Sequence, residues 1–134
     1  MNVILDTNVI VSALLSPSGI PGKILNLVLN GNVNIVYDNN ILSEYIDVLG
    51  RDYLRINKEL VNIVLDFIAK DGEYKIAIPQ NKKFKDEDDK IFYDLFKSGA
   101  VDYLITGNKK HFPNEKGIVT PREFIDLEYS EKQI

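Results

Sequence analysis

Short, β-rich apolar runs alternate with segments of helical period along this chain, and no two-residue hairpin turn joins one run to the next. That order predicts strands separated by helices, the unit of a mostly parallel sheet covered on both faces. The first run, NVIL at 2–5, is brief and branched, which suits a buried strand, and it delivers Asp6 at its carboxyl end. Apolar residues continue from Thr7 to Leu15 as a helix that SPSG at 16–19 closes. Gly22 to Leu29 reads as a second helix through Ile24, Leu25, Val28 and Leu29, stopped by Asn30 and Gly31. Val33 to Tyr37 is a second strand, ending at Asp38. Helical spacing returns at 39–49 and again at 58–69, and these two segments are predicted to form a helical hairpin. A short strand over 74–78, a polar loop over 79–85, a helix over 88–99 and strands at 103–106 and 117–119 follow, and Pro121 starts a terminal helix. The fold class is therefore α/β, three layers with four or five strands in the sheet.

A chain of 134 residues has the usual size of one domain, and no repeat or linker divides it. Its 45% apolar and 27% charged residues match a soluble globular protein. Apolar runs such as 9–15 fall far short of the roughly 20 residues that cross a bilayer, and residues 1–6 lack a basic, signal-like start, so a cytoplasmic location is expected. Without cysteine there is no disulfide, no thiolate nucleophile and no sulfur-held zinc. Any metal must be held by oxygen or by the single imidazole. The net charge of -4 argues against gripping nucleic acid by overall positive charge. A carboxylate-based enzyme escapes that objection, because bound divalent ions supply positive charge locally.

Ligands in open α/β sheets bind where strands end at their carboxyl sides. Asp6 stands at one such end, and a carboxylate there either caps the following helix or needs a cation or other hydrogen bonds. Glu44 lies three residues after Ile41 and four before Val48, at the border of the apolar stripe, so it is either a marginal exposed residue or a group turned toward the site. DEDD at 86–89 opens a helix, where acids suit the dipole, and Asp86 with Asp89 has capping-box spacing. Asp88 is in phase with Ile91, Phe92, Leu95 and Gly99 and is predicted to face the core edge, with Asp89 one step round. Thr106 and Asn108 of ITGN mark a further strand end. In a parallel sheet Asp6, Glu44, Asp88 and Asn108 converge on one edge, where clustered carboxylates call for Mg²⁺ or Mn²⁺. Phosphodiester hydrolysis follows as the chemistry, since such ions activate water and neutralise phosphate charge.

The pattern resembles a PIN domain through LDTNV at 5–9, SEY at 43–45, DDKIF at 88–92 and GAVDYLITGN at 99–108, a likeness that spans nearly the whole chain. Similar small, free-standing members include VapC-like toxins, and the resemblance implies a PIN-like fold, divalent-metal ribonuclease activity on RNA, a homodimer and a cognate antitoxin. By that resemblance Asp6, Glu44 and Asp88 match the family's first three acids and Thr106 the polar residue before the last site. Asn108 departs, because that position is usually aspartate, which puts a second metal in question. The motif also places Asn8 near the first acid as a hydrogen-bond partner. The resulting scheme has Asp6 with Asp88, or with the neighbouring Asp89, on the metal, Glu44 positioning or deprotonating the attacking water, and Asn108 orienting water or phosphate. Lys109 and Lys110 are either RNA contacts or a solvated pair, and His111 is either a general base or a structural loop residue. Two rivals stand beside this reading. One is a PIN-like module that binds RNA or protein without cutting. The other is a haloacid-dehalogenase-type phosphatase, which wants a second Asp where this chain has Asn8.

Overall fold

The computed structural model describes residues 1–130. Five strands form one sheet: β1 (Asn2–Leu5), β2 (Asn34–Tyr37), β3 (Glu73–Tyr74), β4 (Tyr103–Ile105) and β5 (Ile118–Val119). Their order is β3-β2-β1-β4-β5, and every pairing is parallel. Six α-helices, α1 (Thr7–Leu15), α2 (Ile20–Leu29), α3 (Asn39–Leu49), α4 (Lys58–Asp71), α5 (Glu87–Lys97) and α6 (Pro121–Glu128), and two 3-10 turns, Asp52–Leu54 and Lys109–His111, complete the described chain.

Consecutive residues of a strand point to opposite faces, so a strand buried along its whole length is covered on both sides. Val3, Ile4 and Leu5 of β1 are all buried, as are Ile35 and Val36 of β2 and Leu104 and Ile105 of β4. This is the three-layer arrangement that the alternation of runs predicts. The helices pack on one another as well as on the sheet, α1 against α2 and α2 against α6, and α3 against α4 and α5. The predicted hairpin of α3 and α4 is present.

Boundaries differ in three instructive places. Helix α2 begins at Ile20, ahead of the predicted Gly22, with Pro21 supplying a preset φ in its first turn. Gly22 is then a packing residue, because a Cβ there would sit 2.0 Å from the Pro17 carbonyl oxygen. Strand β3 stops at Tyr74, although apolar alternation continued to Ile78, and Ile76 and Ile78 remain exposed. Helix α5 ends at Lys97, two residues early, since Gly99 and Ala100 take φ values of +100° and +61° that no α-helix accommodates.

Candidate active site

The chain lays β2 and β3 to one side of β1, then crosses back to place β4 and β5 on the other. A crevice is expected outside the carboxyl ends of β1 and β4, where the winding reverses. Leu5 pairs with Ile105 in register, so the next residues, Asp6 and Thr106, meet at that point. Both are buried, Asp6 at 5% exposure.

Asp6 donates its backbone N–H to the Ile105 carbonyl at 2.9 Å and accepts the Thr106 hydroxyl on Oδ2 at 2.7 Å. Its side chain makes no capping hydrogen bond to α1. Asp38, in the equivalent place after β2, shows the contrast: its Oδ1 accepts the Ile41 N–H at 2.8 Å and caps α3. Of the two strand-end aspartates, only the second is accounted for by capping. Burial lifts the Asp6 carboxyl to about 6, the Thr106 bond opposes that, and the Asp89 charge pushes it further up. The Thr7 backbone N–H and His111 act in the lowering direction. Behind the site the Tyr45 hydroxyl donates to the Leu5 carbonyl, fixing α3 against the end of β1.

Glu44 comes from α3, one residue before that Tyr45 anchor, and is half-buried. Thr7 donates its hydroxyl toward Glu44 Oε2 at 3.5 Å, a weak bond by its length. Desolvation raises the Glu44 carboxyl, and the charges of Asp88, Asp47 and Asp6 raise it further, while Arg51 lowers it.

The acidic start of α5 divides its labour differently from the sequence reading. Asp86 caps the helix, its Oδ1 accepting the Asp88 N–H at 2.9 Å. Asp88 is exposed, whereas the Asp89 side chain is only 18% exposed. The inward face of α5 is marked by Phe92, Tyr93 and Leu95; Asp88 lies one turn before Phe92 and Asp89 one turn before Tyr93, so helical phase admits both and their exposure separates them. The expectation that Asp88 is the acid at the core edge is corrected in burial alone, Asp89, its alternative, being the less exposed of the two: Asp89 acts on Asp6, and Asp88 on Glu44. Burial raises the Asp89 carboxyl, the Asp86 charge adds to this, and His111 opposes it.

The loop after β4 completes the arrangement. Asn8 Oδ1 accepts the Gly107 N–H at 3.0 Å, so Asn8 ties α1 to this loop instead of bonding Asp6. Thr106 Oγ1 also accepts the Asn108 N–H at 3.0 Å, while the Asn108 side chain is exposed and caps nothing. A turn of 3-10 helix over Lys109–His111 then brings His111 Nδ1 to 3.4 Å from Asp89 Oδ2. His111 is thus part of the carboxylate cluster, although its loop position in the sequence resembles that of any exposed histidine. Lys109 leaves the site and pairs with Glu123 of α6 at 3.0 Å.

Among the described residues no three His, Asp or Glu side chains form a ready metal-binding group. The carboxylates are instead near enough that the Asp89 charge raises the proton affinity of Asp6 and the Asp88 charge that of Glu44.

A parallel α/β sheet with a buried, uncapped carboxylate at its switch point defines an α/β domain with an acidic candidate site. The family model described as PIN domain matches residues 2–110, and the chain belongs to that family. PIN domains are generally nucleases and typically use divalent metals. An uncharacterized protein of Methanocaldococcus jannaschii is 33% identical over 117 residues, covering 81% of this chain and 72% of the relative. No solved structure gives a significant match.

Proposed function

We propose that this PIN domain is a divalent-metal-dependent endoribonuclease that hydrolyses RNA phosphodiesters at the Asp6 site. The observation that carries the reading is Asp6 itself, a carboxylate buried at the switch point, uncapped, and raised to about 6 partly by a second carboxylate. Such a group is costly to ionise without a cation beside it. The donors closest to it are hard carboxylate oxygens, Asp6 with Asp89, a chemistry that suits Mg²⁺ or Mn²⁺, with water completing the ion's shell. When bound, that ion supplies an activated water and neutralises charge on the phosphate. Thr106 keeps Asp6 oriented through its 2.7 Å bond. Glu44, with its raised proton affinity, takes the proton of the attacking water. Asn108, exposed at the mouth of the site, orients water or phosphate.

Its use as the toxin of a toxin-antitoxin pair, a homodimer restrained by an antitoxin, rests on the resemblance to VapC-like proteins, and its action in the cytoplasm on the short apolar runs and the absence of a signal-like start over residues 1–6. No helix among the described residues is long and apolar enough to cross a membrane.

A second reading, a PIN module that binds RNA or protein without turnover, is favoured by one observation: Asn108 brings no charge where the resemblance expects an acid. The deciding assay is cleavage of a mixed RNA pool with Mg²⁺, Mn²⁺ or EDTA, run beside Asp6→Asn and Asp89→Asn. Metal-dependent cutting lost in both variants supports the nuclease. Folded protein that binds RNA and never cuts supports the module.

A further inference from the structure

The net charge of -4 leaves open how this chain would hold a polyanion, and the answer lies beside the carboxylates. A groove of about 700 Å³ opens between residues 82–86 and 110–115, and Asp89 and His111 belong to its lining, so it runs into the site already described. Lys82, Lys83, Lys85 and Lys110 also line it. All four are exposed, and none forms an ion pair or hydrogen bond among the described residues. Four other lysines are paired, Lys58 with Asp52, Lys90 with Asp94, Lys97 with Glu115 and Lys109 with Glu123, and Lys23, Lys70, Lys75 and Lys116 lie outside the groove, so what sets the groove apart is four unpaired lysines along one lining. Glu115, the groove acid nearest Lys82 electrostatically, is engaged by Lys97 at 2.8 Å and by the Tyr93 hydroxyl at 2.5 Å.

The loop that carries three of these lysines is fastened to the body of the protein. Ser98 Oγ accepts the Ile78 N–H at 2.8 Å and Asp94 Oδ1 the Gln80 N–H at 3.0 Å, which fastens the start of their loop to α5. Phe84, between Lys83 and Lys85, packs its ring on Tyr93 and Phe112 at centroid distances of 5.4 and 5.9 Å. A loop anchored in advance loses little backbone freedom on binding, and a row of cations suits a phosphate backbone better than one isolated anion. The half-buried Phe84 ring and the exposed His111 ring offer faces on which unpaired bases stack, and this favours a single strand over a duplex.

We propose that this groove carries single-stranded RNA to one side of the scissile phosphate, with Lys82, Lys83, Lys85 and Lys110 on its phosphates and Asp89 where the groove meets the cutting site. The proposal rests on the nuclease reading for the identity of the strand. It makes the basic character of the protein local to a segment of α5's approach and a segment of the β4 loop, so overall charge is no guide to it.

The test is binding, scored apart from cutting. Asp6→Asn protein in EDTA is titrated into a short fluorescein-labelled single-stranded RNA across about 50 to 200 mM salt and followed by anisotropy. Adding Lys83→Ala, Lys85→Ala and Lys110→Ala is expected to weaken binding about tenfold or more at the low end and to flatten the log–log salt slope by about 2, at roughly 0.7 per lost phosphate contact. A control with Lys23→Ala, Lys70→Ala and Lys75→Ala, none of which lines the groove, keeps the parental curve. The proposal is overturned if the groove variant binds like its parent, if the parent binds no RNA, or if polyglutamate binds the groove more tightly than RNA. Cleavage by the otherwise native chain separates the two claims. Cutting that persists beside unchanged binding in the lysine variant removes the groove and leaves the nuclease. Binding lost in the lysine variant of a chain that never cuts removes the nuclease and leaves the groove.

Discussion

Replacing Asp6 by Asn should stabilise the metal-free protein at neutral pH, and the gain should grow with pH in a calculable window. The carboxyl rises from 3.8 to about 6 on folding, chiefly through burial. A raised carboxyl binds its proton more tightly when folded, so between these two values the unfolded chain has released a proton that the folded one still holds. Stability therefore falls as pH rises through this window and levels off above about 6. Each pH unit crossed between the two values costs about 1.4 kcal/mol, giving a penalty of about 1 kcal/mol at pH 4.5 and about 3 kcal/mol at pH 7.5. Asparagine keeps an oxygen for the Thr106 hydroxyl and carries no charge, so it escapes the penalty. Urea unfolding of both proteins in EDTA at the two pH values reads the difference. The advantage of Asp6→Asn should widen by about 2 kcal/mol from the acid to the neutral condition. Adding Mg²⁺ should then stabilise the native chain more than the variant, because only the native chain has the ionised ligand. An advantage that stays constant across the window, or a variant that is the less stable at pH 7.5, would refute the reasoning.

Three further substitutions follow from the geometry. Thr106→Val removes both the bond to Asp6 and the acceptor of the Asn108 N–H, and should cost about 1–3 kcal/mol in chemical unfolding while moving the Asp6 titration upward by carboxyl NMR. Tyr45→Phe leaves the Leu5 carbonyl without its buried donor and should lower stability by about 1–3 kcal/mol in the same unfolding assay. Gly22→Ala drives a methyl group into the Pro17 carbonyl and should destabilise by about 1–3 kcal/mol or more, seen as a lower melting temperature with helix content retained below it.

The parts of this molecule that local pattern dictates were readable from the residues. Strand β1 and its terminal Asp6 follow from a short branched run, and the covered parallel sheet follows from strands separated by helical segments. What local pattern could not supply is rotation and distance. Asp88 and Asp89 differ by one step around α5 and precede buried Phe92 and Tyr93 respectively, so helical phase could not choose between them, and the choice is made by neighbouring elements such as the loop that brings His111 to Asp89. His111 reaches Asp89 only because a 3-10 turn follows Asn108. The exposed Ile76 and Ile78 have the alternation of a strand without a partner strand to pair with, so β3 ends before them. Gly22 looked like a helix boundary because glycine usually breaks helices, yet here it is the contact that lets α2 approach residue 17.

At the centre of this account is the claim that Asp6 and Asp89 are held together for a divalent cation. Calorimetric titration of Mn²⁺ into the native chain, Asp6→Asn and Asp89→Asn at pH 7.5 addresses it without RNA or turnover. The account predicts saturable binding by the native chain that Mg²⁺ competes away and that each substitution weakens at least tenfold. Equal Mn²⁺ binding by all three proteins, or none by the folded native chain, would contradict it.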